Sequence, residues 1–327
     1  MTKIKDFIKK KNSKKIIFTA GPASLSNENL LGLSPCFGRG DNDYLKIENK
    51  VLKKLNKMSG HKKIVRMQGS GSFALEVVSL NFLYGRVLIV STGYYSDRLY
   101  NLCKEAKKSL RKITKISKIN WRDIENYSGK FDWVWACPTE TSCGLKIPIT
   151  SLKKLSKKVS AKLALDATAS MGLENFHELS DVISYSSCKG LFGLTGASFV
   201  AHNVNPNNKV DSFNLDINSH AEKKMTGPYH AIQSLEKVLD KHKDFKYSVK
   251  MNKEKFLKLF AQKLIYHNDN QPLLCSYANA KIITKDKRVI FYKPRINLLG
   301  SVICHLGEAH LGKNAKGDIL KRIYLSK

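Results

Sequence analysis

Lys189 stands in Ser184-Tyr185-Ser186-Ser187-Cys188-Lys189-Gly190-Leu191-Phe192-Gly193-Leu194-Thr195-Gly196, between the apolar runs Asp181-Val182-Ile183 and Ala197-Ser198-Phe199-Val200-Ala201. Small polar residues, one lysine and three glycines between two predicted strands describe a tight loop rather than a solvated charge run. A lysine held there away from water loses part of its preference for the ammonium form. The neutral amine is a nucleophile that forms Schiff bases with aldehydes. Taken alone, Lys189 reads as readily as one more lysine in a lysine-rich chain.

Four further stretches carry groups of complementary chemistry. Gln68-Gly69-Ser70-Gly71-Ser72 is a loop between a predicted strand, Lys63–Met67, and a predicted helix, Phe73–Leu80. Backbone N–H groups at such a helix start, with two serine hydroxyls, suit an anion. The loop lacks the Gly-Lys-Ser/Thr of a Walker A motif and the third glycine of a dinucleotide fingerprint. A plain helix cap by Ser70 or Ser72 accounts for it equally well. Arg86–Ser91 is a predicted strand that turns through Thr92-Gly93-Tyr94-Tyr95-Ser96-Asp97-Arg98 into a helix, and Tyr95 there could lie flat on a planar ligand. Phe131–Cys137 is a strand leading to the hydroxyl-rich Pro138-Thr139-Glu140-Thr141-Ser142-Cys143-Gly144. Lys162–Leu165 is a buried strand ending in Asp166, a carboxylate that needs a partner at that depth: a helix cap, a neighbouring loop or a buried cation.

The elements that must position these groups alternate. Strands and helices succeed one another with loops at the strand ends, which predicts an α/β protein with a mostly parallel sheet flanked by helices. In such sheets ligands bind at the carboxyl ends of the strands. Ser70, Tyr95, Thr141, Asp166 and Lys189 all fall at those ends. An anion cradle, an aromatic plate, a hydroxyl, a carboxylate and a lysine on one rim are the parts of a pyridoxal phosphate site. Apolar residues at 45, 47, 51, 52, 55 and 58 predict a further helix over Leu45–Met58, stopped by Gly60.

Composition frames this reading. The 327 residues are enough for a sizeable core, and 42% are hydrophobic, which excludes a disordered chain. Fifty-seven Lys+Arg against 27 Asp+Glu give +30. The lysines are spread in pairs and triplets without an arginine-rich block, zinc-finger spacing or an aromatic-basic RNA signature, so nucleic acid is not the expected partner. The seven cysteines form no CxxC pair, which suits a reducing cytoplasm. No secretory signal and no membrane span are expected. His305 and His310 lack cysteine or carboxylate partners at ligand spacing, so no metal site is expected.

The ordered set Met67-Gln68-Gly69-Ser70-Gly71-Ser72-Phe73-Ala74-Leu75-Glu76, Gly93–Arg98, Glu140–Gly144, Leu165-Asp166-Ala167-Thr168-Ala169-Ser170, the Lys189 loop and Thr226-Gly227-Pro228-Tyr229-His230-Ala231 resembles the class V, fold-type I pyridoxal-phosphate aminotransferases. Within them it is most similar to the 2-aminoethylphosphonate–pyruvate transaminases and their alanine–glyoxylate relatives. The resemblance implies a basic leader over 1–15, a large cofactor-binding domain over 16–235 and a smaller C-terminal α/β domain over 236–327. The small domain would contain strands at Lys281–Thr284, Arg288–Tyr292 and Ser301–His305.

It also implies roles. Lys189 would carry the cofactor and move the substrate proton, and Asp166 would pair with the ring nitrogen. Tyr95 and Thr168 would lie on opposite ring faces. Ser70, Gly71 and Ser72 would hold the phosphate, and Thr141 would meet the ring hydroxyl. Thr226 would reach the phosphate of a neighbouring subunit, which makes the expected enzyme a homodimer with shared sites. The implied reaction moves an amino group between a small amine, 2-aminoethylphosphonate in first place, and a 2-oxo acid such as pyruvate. Alternatives are an alanine– or serine–glyoxylate aminotransferase, a lyase or desulfurase on the same fold, and a cofactor-free polyanion-binding descendant.

The chain departs from the family pattern at three places. Cys188 stands where relatives often have Gln or Asn. Arg39, in Gly38-Arg39-Gly40-Asp41-Asn42-Asp43-Tyr44, is one position out of register with a substrate-loop arginine. Near the C-terminus His305 takes the place of an acid-binding arginine, with Arg295 as the nearby substitute. A histidine cannot offer the bidentate clamp of a guanidinium.

Overall fold

A computed structural model describes residues 2–36, 38–307 and 320–326. Its centre is a seven-stranded sheet in the order Lys63–Gln68, Ala197–His202, Val182–Ser186, Lys162–Asp166, Trp133–Ala136, Gly85–Ser91, Ile113–Asn120. Ala197–His202 runs antiparallel to both of its neighbours, and the other pairings are parallel. This is the mostly parallel α/β fold expected from the sequence.

Both faces of the sheet are covered, which explains the near-continuous apolar strands. Alternate residues of Gly85–Ser91 feed two cores. Leu88 and Val90 pack with Val51, Leu55, Leu152, Leu155, Ile232 and Leu235 from helices on one face. Val87 and Ile89 pack with Leu75, Val78, Leu99 and Cys103 from helices on the other. The helix expected over 45–58 spans Asn42–Ser59, starts on the Asp41 side chain and ends on Gly60 in the left-handed region. The strand Ile113–Asn120 has no counterpart in the sequence reading. It is the outer strand of the sheet, carries Lys115 and Lys118, and is only sparsely buried, so its apolar pattern is weak.

The C-terminal unit is smaller. Its strands are Cys275–Ala278, Ile282–Ile283, Val289–Phe291, Ser301–Cys304 and Tyr324–Leu325, close to the three expected plus two that were missed. Ile16–Phe18 pairs in parallel with Val289–Phe291, and Ile16 and Phe18 pack with Phe256, Phe260 and Ile303. That strand therefore packs with C-terminal elements. The helix Tyr229–Asp240 packs on Asn42–Ser59, with ion pairs Lys50–Glu236 and Lys54–Asp240. The next helix, His242–Leu259, contacts Cys275–Ala278 instead. Among the described residues, no helix is long and apolar enough to cross a membrane.

Candidate active site

The parallel strands end on one edge of the sheet, and the loops that follow them meet there. The Lys189 loop is tightly tied. Ser187 Oγ donates to the carbonyls of Leu194 at 2.5 Å and Ala197 at 3.1 Å, and the Gly193 N–H donates to Ser187 O at 2.8 Å. Gly190 lies directly against the chain at Met171, where a Cβ would come within 2.2 Å of a carbonyl oxygen. These constraints leave Lys189 half-buried with its side chain facing a cavity of about 320 Å³. That size lies within the usual range for small-ligand sites, about 300–1,000 Å³.

The cavity is lined by Ser70, Gly71, Ser72, Tyr95, Arg98, Thr168, Cys188, Lys189 and Arg295, among others. On one side the helix Gly71–Asn81 begins, with Ser70 as its cap: Ser70 Oγ accepts the Phe73 N–H at 3.3 Å. Ser70 thus caps the helix and also lines the cavity. A Cβ on Gly71 would lie 2.9 Å from Thr168 Oγ1, so this residue must be small for the cradle to stay open. The Gly69 N–H donates to Gly196 O at 3.0 Å, tying the cradle to the loop after Lys189.

Tyr95 sits in the first turn of the helix Tyr94–Leu110. Lys189 Nζ lies 5.7 Å from its ring centroid. The turn is anchored by Glu140, which is fully buried. Its carboxylate accepts N–H groups from Tyr95 (3.0 Å) and Ser96 (3.2 Å) and hydroxyls from Thr92 (3.2 Å) and Ser142 (2.5 Å). Burial pushes the Glu140 carboxyl above its ordinary range, against the lowering effect of these donors. Gly93 has a φ of 156°, and a Cβ there would meet Glu140 Cγ at 3.0 Å.

Asp166 is 3% exposed and sits beside Thr168, which lines the cavity. Its Oδ1 accepts the Thr168 N–H at 3.0 Å, and its Oδ2 is 3.9 Å from Arg98 Nη2. Arg98 also donates from Nη1 to Ser72 Oγ at 2.7 Å and holds its guanidinium 5.0 Å over the Tyr95 ring. Thr141 is buried. The hydroxyls of Thr141, Thr168 and Tyr292 are buried without an aligned partner. Tyr292 brings its hydroxyl beside those of Tyr95 and Thr141, and burial raises its ionisation above the ordinary phenol range. Arg295 donates from Nη1 to Tyr94 Oη at 3.0 Å and stacks over that ring.

The donor set fits pyridoxal phosphate. Unpartnered hydroxyls at Thr141 and Thr168 await polar groups, the helix start with Ser70 and Ser72 suits a phosphate, and Asp166 suits a cationic ring nitrogen.

Five of the expected site residues are not among those lining this cavity: Asp166 and Thr141, both buried, and His305, Arg39 and Thr226. His305 is buried in the small unit. Its ring lies 5.3 Å from that of Phe256 and its Nε2 is 3.1 Å from Ser276 Oγ. This is the residue the sequence reading set in place of an acid-binding arginine. His310 lies outside the described residues. Arg39 is exposed and donates to the carbonyls of Lys223 and Lys224 at 3.0 and 2.9 Å. Thr226, also exposed, follows in the same turn, backed by Gly227 against Arg66. Arg98, Glu140 and Tyr292 are the residues that sequence reasoning missed. The first two stand inside quoted motifs, whereas no local pattern marks Tyr292.

Comparison with known proteins places the fold and the ancestry. No protein-family profile matches the chain. Its sequence is 25% identical over 254 residues to a 2-aminoethylphosphonate–pyruvate transaminase of Pseudomonas aeruginosa, covering 70% of this chain and 68% of that protein. At this identity the likeness is to 2-aminoethylphosphonate–pyruvate transaminases, and the fold is shared with aminotransferases of known structure. The structure of an alanine–glyoxylate aminotransferase from Nostoc superposes on this chain with a TM-score of 0.75 at 16% identity, covering 94% of this chain and 93% of that one. A phosphoserine aminotransferase from Cytophaga hutchinsonii gives 0.78 at 13% identity, covering 94% and 98%.

Proposed function

We propose that the chain is a pyridoxal-phosphate-dependent aminotransferase working on a small amine, 2-aminoethylphosphonate favoured, and a 2-oxo acid such as pyruvate. The observation that carries the reading is the convergence of Lys189, Tyr95, Thr168 and the Ser70–Ser72 helix start on one cavity. The choice of amine rests on the relatives' activity, supported by two guanidinium groups, Arg98 and Arg295, on the same cavity wall.

Bound pyridoxal phosphate supplies an aldehyde that takes up the amino group and a ring that accepts electrons from the substrate carbon. The chain's residues do the rest. Lys189 Nζ holds the cofactor and, once displaced by the amine, takes and returns the proton of the substrate carbon. The Asp166 carboxylate favours the protonated ring nitrogen. Ser70, Gly71, Ser72 and the helix start hold the phosphate, and Tyr95 and Thr168 flank the ring. Thr141 offers its hydroxyl to the ring oxygen. Arg295 is the acid-binding arginine, because His305 is committed to the core.

Thr226 and Arg39 are assigned to the cavity of a second copy in a homodimer, since in their own chain they sit together on an exposed turn outside the cavity. Seven free thiols suit a reducing cytoplasm.

The test is a pair of half-reactions with the purified, cofactor-loaded protein. Conversion of the cofactor by 2-aminoethylphosphonate, reversed by pyruvate, supports the reading. Inertness toward 2-aminoethylphosphonate with turnover of alanine and glyoxylate would move the enzyme to its glyoxylate relatives.

A further inference from the structure

We infer that Arg98 is a positioning residue that locks the phosphate cradle, the ring plate and the ring-nitrogen carboxylate into one unit, so that cofactor affinity depends on it. The inference rests on the cofactor reading above. Three separate contacts of one side chain support it. Nη1 donates to Ser72 Oγ at 2.7 Å, Nη2 faces Asp166 Oδ2 at 3.9 Å, and the guanidinium carbon lies 5.0 Å from the centre of the Tyr95 ring.

Arg98 follows Tyr95 by three residues in the same helix, which places both side chains on one face. The helix start is fixed by Glu140, so the guanidinium has a defined origin. Asp166 is 3% exposed, and a carboxylate at that depth needs a compensating charge. Arg98 is that cation within 4.0 Å, and it is itself only 29% exposed. Its Nε is buried without a hydrogen-bond partner. The geometry uses the planar fork, because one point charge could not serve Ser72 and Asp166 from two nitrogens while also lying over Tyr95. A surface arginine kept for solubility would need none of these contacts.

The experiment titrates purified Arg98→Gln, Arg98→Lys, Ser72→Ala and the Ser72→Ala/Arg98→Gln double variant with pyridoxal phosphate, reading absorbance, with thermal melting as the fold control. The expected result is a dissociation constant raised about tenfold or more in Arg98→Gln, as for loss of a charge-assisted contact. Arg98→Lys should recover little of it. Adding Arg98→Gln to Ser72→Ala should cost clearly less than adding it to the wild type, because the two side chains share one contact. A purely structural role would lower the melting temperature without this coupling. Affinity within about twofold of wild type in a folded Arg98→Gln or Arg98→Lys overturns the inference while leaving the cofactor reading intact. A wild type that binds no pyridoxal phosphate overturns both.

Discussion

The carboxylate of Glu140 accepts the backbone N–H of Tyr95 at 3.0 Å, across 45 residues of sequence. This bond fixes the first turn of the helix that carries both the ring plate and Arg98. Replacing Glu140 by Gln keeps the shape but turns one of its two acceptor oxygens into a donor, which then faces either the donors of Tyr95, Ser96 and Thr92 at Oε2 or those of Ser142 at Oε1. We expect Glu140→Gln to lose about 1–3 kcal/mol of stability. Urea unfolding measures this, and the same variant should bind pyridoxal phosphate more weakly.

Gly71 tests the cradle without touching a charge. Alanine would put a methyl group 2.9 Å from Thr168 Oγ1. Glycine-to-alanine exchange normally favours a helix by up to about 1 kcal/mol. Gly71→Ala should therefore keep or nearly keep the melting temperature while weakening cofactor binding at least several-fold. An absorbance titration beside a thermal melt separates the two effects.

Arg295 tests the acid-binding assignment. Arg295→Ala should raise the KM for the 2-oxo acid about 10- to 100-fold, the loss of one charged hydrogen-bonding partner. Cofactor affinity should stay close to wild type, because Arg295 contacts Tyr94 and not the cradle. His305→Gln should leave that KM unchanged, since His305 packs on Phe256.

His177 sets part of the acid limit of stability. Burial lowers its pKa from 6.5 to about 4, and its Nε2 lies 2.9 Å from Ser170 Oγ. The folded state therefore disfavours a proton that the unfolded state accepts. Stability is full above pH 6.5 and falls as the pH drops toward about 4, by about 3 kcal/mol from this residue. His61, His202, His220 and His242 are shifted in the same direction, chiefly by burial. Urea unfolding at several pH values should show the loss, and His177→Gln should make the curve shallower.

Much of this site was legible in the sequence because each part sits at a strand end, and strand ends announce themselves by an apolar run giving way to small or polar residues. Lys189, Asp166, Ser70 and Tyr95 all carry that signature. Tyr292 and the assignment of His305 were not legible. Tyr292 belongs to the small unit and meets Tyr95 only through tertiary packing. His305 sits in a motif-like Cys-His-Leu-Gly segment, yet the pairing of Ser301–Cys304 with Cys275–Ala278 turns it into the core. The edge strand Ile113–Asn120 was hidden by its lysines, because an outer strand needs few buried residues to hold its place.

The central claim is that Lys189 carries pyridoxal phosphate. Its most direct test is the absorbance spectrum of the purified protein before and after borohydride, alongside Lys189→Ala. The account predicts a yellow band that borohydride bleaches, with the cofactor then fixed covalently at Lys189, and no such band in Lys189→Ala. A wild-type protein that stays colourless with added pyridoxal phosphate, or a band that persists unchanged in Lys189→Ala, would contradict it.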